Sequence, residues 1–303
     1  MRATSCSTST AATRCCTTSS PGCRSARPQP HPERRALGAA LLALVVAAPA
    51  VAAPKAKLWE RWAAQGTESA PVDHAAWDAF VRKYVRSSPD GIHRVPYGRI
   101  GNADRQALEA YVRRLQTVAI SRHPRAEQRA FWINLYNAAT LKTVLAHYPV
   151  ESILKIGISP GLFARGPWGA PLLQVEGETV TLDDIEHRIL RPLWKDPRTH
   201  YAVNCASLGC PNLATRAYTA ANTETLLEAG ARAYVNHPRG AQVVDGRLVV
   251  SSLYEWFEDD FGGDDAGVIA HLKQYAAPKL AAQLQRITRI DDDRYDWALN
   301  DLK

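Results

Sequence analysis

Apolar residues at helical spacing dominate the first half of the chain, and short alternating runs dominate the second. Trp77, Phe80, Val81, Tyr84 and Val85 recur three and four positions apart behind Asp73, whose carboxylate suits the cap of a first helix. Turn residues Ser87 to Gly91 end it, and an extended piece from His93 to Ile100 follows. Asn102 then suits the cap of a second helix with Leu108, Tyr111, Val112, Leu115 and Val118 on one face. A third helix is expected over about 125–147, where Phe131, Ile133, Leu135, Leu141, Val144 and Leu145 sweep one broad arc. Asn134 and Asn137 fall inside that arc. A buried amide is costly unless paired, so each must serve neighbouring backbone or a site, with backbone stapling favoured over a direct catalytic role. Lys142 interrupts the face and reaches water through its alkyl stem.

Beyond Tyr148-Pro149 the pattern leans to strands. Residues 152–157 read as a short strand, and the Gly/Pro-rich run from Ser159 to Gly169 as a loop that rims a cleft. Leu172 to Val175 and Glu178 to Leu182 form an expected hairpin turning at Gly177. A short helix begins at Thr181, with Asp183 and Asp184 in its first turn and His187, Arg188 and Arg191 towards its end. Residues 200–206 alternate and read as a buried strand delivering side chains to the Gly209-Cys210-Pro211 turn. A helix over about 223–236, a hairpin from Gln242 to Ser251 around Asp245-Gly246, a helix with Leu253, Trp256 and Phe257, and a last helix over about 266–275 complete the pattern. This order predicts a single α+β domain of several helices packed with short antiparallel strands and hairpins. The segments are a leader with signal peptide over 1–53, a linker over 54–72, the domain over 73–276 and a C-terminal tail over 277–303.

Composition changes once the leader is set aside. Arg34 and Arg35 precede an apolar run from Ala36 to Ala53 that ends in small residues, the pattern of a secretory signal peptide cleaved near Ala52 or Ala53. The formal charge is +7, but residues 1–53 hold six Arg and one Glu, which leaves 31 basic and 29 acidic residues. They are interspersed, so nucleic acid is not an expected partner, and contact with a membrane is expected only through the signal segment. Export points to a periplasmic or secreted location. Cys6, Cys15, Cys16 and Cys23 lie in the leader, so only Cys205 and Cys210 remain beyond it.

Three chemistries compete for His187, His200, Cys205 and Cys210. In the first, a base lowers the Cys205 thiol from about 8.5 and makes it a nucleophile. If residues 200–206 are extended, His200 and Cys205 point to opposite faces, so His187 is the better partner and Asn134 or Asn137 can orient its imidazole. In the second, Cys205 and Cys210 form a short-loop disulfide that pins the turn. In the third, some of the four bind a metal, although C-x4-C lacks the usual short knuckle spacing. No cofactor is expected, and the Asp291 to Asp293 run reads as surface charge because it lacks the ligand alternation of a calcium loop.

Four motifs in order carry a resemblance. Arg129 to Ala138, Asp184 to His187 with Leu190-Arg191, Pro197 to Pro211, and Ser252 to Phe261 together resemble the domain of unknown function family 547 over roughly 74–275. The resemblance implies a shared fold and site rather than an activity. Similar domains occur in exported bacterial proteins and in plant multidomain proteins discussed as interaction partners, which favours a binding module and weighs against a purely structural disulfide. The expected enzyme has Cys205 attacking a carbonyl, His187 moving the proton, Asn134 orienting it, and Ser207 or backbone near Gly209 stabilising the oxyanion. The alternative is a non-catalytic module in which Asn137, His200, Ser207 and Cys210 help hold a peptide or small-molecule ligand.

Overall fold

The computed structural model describes residues 54–303, so the expected signal segment and its cleavage site lie outside the described residues. Among the described residues eight α-helices, α1 (Ala75–Tyr84), α2 (Asn102–Leu115), α3 (Arg125–His147), α4 (Arg191–Trp194), α5 (Thr223–Val235), α6 (Ser252–Trp256), α7 (Asp265–Tyr275) and α8 (Pro278–Leu284), pack with three small sheets. The fold is α+β. The strands are β1 (Arg86–Ser87) with β2 (His93–Arg94), β3 (Leu173–Val175) with β4 (Glu178–Val180), and a sheet of β5 (Ala241–Val244), β6 (Arg247–Ser251) and β7 (Asp292–Arg294). Among the described residues no helix is long and apolar enough to cross a membrane.

Turn chemistry places both hairpins where the sequence predicts them. Glu176 and Gly177 (φ 49° and 83°) join β3 to β4, and Asp245 and Gly246 (φ 51° and 76°) join β5 to β6. Two consecutive residues of positive φ match the strand twist, and Asp and Gly tolerate that conformation best. In β7 Asp292 and Asp293 pair in parallel with Val249 and Val250 of β6, so this acidic run is an edge strand.

Helix α3 runs through the core of the described residues. It is buried almost all round, from Glu127 to Leu145 with only Lys142 half-exposed, which corrects the expectation of one apolar arc. A helix apolar on every side is a core helix, and its amides must then be satisfied internally. One hydrophobic cluster surrounds it with α1, α2 and the β3–β4 hairpin, and a second lies between α5, β5–β6, α6, α7 and α8. Residues 197–211 form the seam, because Tyr201 belongs to the second cluster while Ala202, Val203 and Ala206 belong to the first.

The expected strand over 200–206 is corrected here. Pro197–Tyr201 is a 3-10 helix, capped by the Asp196 carboxylate on the Arg198 N–H at 2.9 Å, and residues 203–205 that follow belong to no strand. Pro at the first helical position behind an Asp cap favours that start. Residues 152–157 are likewise a 3-10 turn, Ile153–Lys155, capped by Ser152, and not a strand. The expected helix from Thr181 forms, opened by reciprocal bonds between Thr181 and Asp184, but Asp184–Leu190 is wound as a π-helix before α4. Segment 54–72 lies on this π-helix through Lys57 N–H to His187 O and Trp59 N–H to Arg188 O, with Trp62 buried in the core.

Candidate functional site

The two amides of α3 position everything that follows. Asn137 donates to Ala202 O (2.8 Å) and accepts from Asn204 N–H (2.8 Å), pinning the seam on both sides of Val203. Asn134 does the same for the backbone of Tyr218, at 2.7 and 2.9 Å. Both are fully buried, and both ends of each amide are used. Asn204 continues the scheme, accepting from Ala206 N–H at 2.9 Å and donating to Pro211 O at 2.7 Å, so it closes the 205–211 loop on itself.

That closure holds a strained residue. Ala206 has φ 60°, a left-handed conformation that costs a non-glycine residue about 1–2 kcal/mol. Asn204 restrains its N–H, and Asn300 N–H donates to its carbonyl at 2.9 Å. The C-terminal segment thus crosses the loop: Ser207 bridges Leu299, Leu208 N–H donates to Ala298 O and Gly209 N–H to Asp296 O, both at 2.8 Å. A Cβ at position 209 would lie 2.8 Å from Asp296 N, so only glycine admits this crossing.

The crossing segment delivers a group that sequence reasoning missed. Tyr295 OH lies 3.1 Å from Cys205 Sγ, Ser207 Oγ lies 3.1 Å from the same sulfur, and the two hydroxyls are 3.1 Å apart. Cys205 is half-buried, Cys210 is buried, and both are free thiols. Cys205 N–H points at Cys210 Sγ at 2.9 Å. Burial works against a thiolate at Cys205, but hydrogen bonds from Cys210, Ser207 and Tyr295 outweigh it and bring the thiol down to about 7. Cys210 goes the other way, pushed well up by burial and by the neighbouring Cys205 sulfur.

The imidazoles belong to a separate cluster. His200 Nε2 bonds Asp260 Oδ2 at 2.7 Å, and its Nδ1 faces Glu186 Oε1 at 3.6 Å. Burial opposes its charge, yet the two carboxylates raise His200 above the ordinary imidazole range. Arg191 bonds Asp260 at 2.5 Å and donates to His187 Nδ1 at 3.0 Å. A donated bond at Nδ1 places the His187 proton on Nε2, which faces Asp183 at 3.6 Å. Burial first, then Arg191 and His200, lower His187 to about 4 and leave it neutral. Glu186 and Asp260 are each held at about 2: burial opposes this, and their cationic neighbours outweigh it. Phe257 stacks on His200 at 4.2 Å and lies under Arg191 at 4.7 Å.

The predicted residues therefore divide into groups. Cys205, Ser207 and Cys210 come together; His187 and His200 come together elsewhere; Asn134 and Asn137 are spent on backbone. No hydrogen bond joins either imidazole to Cys205, and Asn134 does not reach His187. Among the described residues no group of three or more His, Cys, Asp or Glu side chains is placed to hold a metal ion. Tyr295 carried no periodic signal; the aromatic residues Tyr295 and Trp297 in an otherwise polar tail were the only mark of it.

Residues 120–235, from the approach to α3 through the π-helix and the thiol loop to the end of α5, match the model of a family described as "Protein of unknown function, DUF547". The match supports, over that stretch, the resemblance drawn from the motifs. No curated protein and no solved structure matches the chain.

Proposed function

We propose that Cys205 and Cys210 form a dithiol site for thiol–disulfide exchange, with Cys205 the attacking thiol and Cys210 the resolving one. The observation that supports it best is the asymmetry of the pair. Cys205 is half-buried with two hydroxyls 3.1 Å from its sulfur, and Cys210 is buried with its sulfur against the Cys205 amide. A thiolate near ambient pH attacks well, and a protonated buried neighbour stays in reserve. Cys205 thiolate attacks one sulfur of a substrate disulfide, forming a mixed disulfide and releasing the other half as a thiolate that takes up a proton. Cys210 then gives up its proton and attacks Cys205 Sγ. The second half of the substrate leaves as a thiol, and the Cys205–Cys210 disulfide remains. Two electrons have passed to the substrate, and an external dithiol restores the pair by the reverse steps. Export, proposed from the leader pattern, would place this chemistry in a compartment where protein disulfides persist.

A second thiol reading is acyl transfer, favoured by the two hydroxyls beside Sγ, which suit an oxyanion. It needs Cys205 and not Cys210. A binding module for a peptide or small-molecule ligand needs neither. Oxidised glutathione added to the full chain separates the three. Exchange predicts that Cys210→Ser accumulates a glutathione adduct on Cys205, that the wild type proceeds to the internal disulfide, and that Cys205→Ser stays unmodified. Thiols that remain unmodified in both the wild type and Cys210→Ser would overturn the exchange reading.

A further inference from the structure

The thiol loop is flanked by an unusual amount of aromatic surface. Tyr295, whose hydroxyl touches Cys205 Sγ, lies with its ring centroid 4.6 Å from Trp297 and 4.7 Å from Trp256. Trp256 and Trp297 stack at 5.5 Å and 25°, and Trp168 meets Trp297 edge-on at 6.0 Å. All four rings are half-buried. An indole in a core is normally covered, so four contiguous aromatic side chains that each keep solvent contact form a surface suited to a partner's apolar group.

The loop that carries Trp168 adds further apolar side chains. The loop over 158–169 is tied at its base by Ser159 Oγ, which donates to Gly166 O and accepts from Gly169 N–H, both at 2.9 Å. Its tip presents Leu162 and Phe163, 91% and 88% exposed. Exposed large apolar side chains are scarce among the described residues: Ile158, Leu162 and Phe163 are on this loop, and Val244 is elsewhere. An apolar tip on the tied loop that also carries Trp168 adds to the aromatic surface beside the sulfur a contact site for whatever the sulfur meets.

We infer that the cluster of Trp168, Trp256, Tyr295 and Trp297, with Leu162 and Phe163 on the same loop as Trp168, is the substrate-recognition surface of the thiol site, and that it takes a peptide carrying an aromatic side chain close to its disulfide. This rests on the exchange reading for the identity of the reacting group. A reagent that transfers a single methylthio group covers little beyond the sulfur and the Tyr295 hydroxyl. A peptide disulfide also reaches the indoles, which bury a large apolar area at little conformational cost. Trp256 and Trp297 are specificity-determining residues in this scheme and do not touch the reacting sulfurs.

The experiment compares two reagents on the full chain, a methyl methanethiosulfonate and a short peptide joined by a disulfide to a nitrothiobenzoate group with Phe beside its Cys. Wild type is expected to react with the peptide at least tenfold faster than Trp297→Ala or Trp256→Ala does, while methyl methanethiosulfonate reacts with all three within twofold. Equal loss with both reagents, or no loss with either, overturns the recognition surface. Failure of the wild type to react with either reagent overturns the exchange reading instead. Should an alanine variant not fold, indole fluorescence of Cys205→Ser titrated with the same peptide carrying Ser for Cys decides the matter. A saturable blue shift is expected with the peptide, and a shift with phosphatidylcholine vesicles but not with peptide would overturn the inference.

Discussion

Two polar regions lie on either side of α6, and they use opposite means to control charge. Its last residue, Trp256, packs on Tyr295 beside the thiol loop, and the next residue, Phe257, packs on His200 in the imidazole cluster. The imidazole cluster is made of full charges: His200 and Arg191 against Glu186 and Asp260, with both cationic side chains almost wholly buried. The thiol loop has no charged partner within hydrogen-bond distance of the sulfur, only hydroxyls and a second thiol. Ion pairs buried this deeply fix one arrangement of the side chains. Neutral donors lower a thiol without neutralising it, and leave it open to an incoming electrophile. The difference teaches that proximity of Cys and His in a sequence does not make a catalytic pair. Here the histidines pair with carboxylates in the core, and the thiols are the groups to which we assign the proposed reactivity.

The comparison breaks most sharply at Asp260. Asp260→Ala leaves His200 and Arg191 buried with one carboxylate between them, and loss of one partner of a buried pair costs about 3–5 kcal/mol. A urea melt should show a loss of that order, while Cys205 in the folded protein keeps its alkylation midpoint. A shift in that midpoint would show that the two regions are coupled.

The pH dependence of stability is the next largest effect. Burial is the main cause that lowers His74, His187 and His271 to about 4. A histidine with a depressed pKa stabilises the fold above its unfolded value of about 6.5, and that contribution fades as pH falls towards 4, by up to about 1.4 kcal/mol per unit for each group. His200 has the opposite sign, because its pKa is raised: its contribution is complete below about 6.5 and is lost as pH climbs through the folded value. The depressed Cys205 thiol adds stability at alkaline pH, so the Cys205→Ser background isolates the histidine. There, urea stability should peak near pH 6.5, and adding His200→Gln should flatten the alkaline fall. Stability that rises steadily from pH 6.5 to 8 in that background would contradict the assignment.

Much of this was legible in the sequence. The helices α1 to α3, both hairpins and the need to satisfy Asn134 and Asn137 follow from periodicity, Asp-Gly turn chemistry and the cost of a buried amide. The thiol stretch also stood out as a candidate site, and the structure brings Cys205, Ser207 and Cys210 together there. What failed was the strand over 200–206, for a physical reason. The seam is buried on both sides, so its alternation of apolar residues says nothing of two faces, and the Asp196-Pro197 cap starts a 3-10 helix there. Nor could local spacing find Asp260 or Tyr295. Each reaches its partner across the fold, 60 positions from His200 and 90 from Cys205, Asp260 from the Ser252 to Phe261 motif and Tyr295 from the tail.

The most direct test is the pH profile of Cys205 alkylation by iodoacetamide, followed by mass spectrometry, in the native wild type and in Tyr295→Phe. Removing one of the donors to the sulfur should raise the thiol by about 1 unit, equivalent to about 1.4 kcal/mol of differential hydrogen bonding. The account predicts a wild-type midpoint of about 7 that moves up in the variant. A wild-type midpoint of an ordinary thiol, or one that Tyr295→Phe leaves in place, would contradict it.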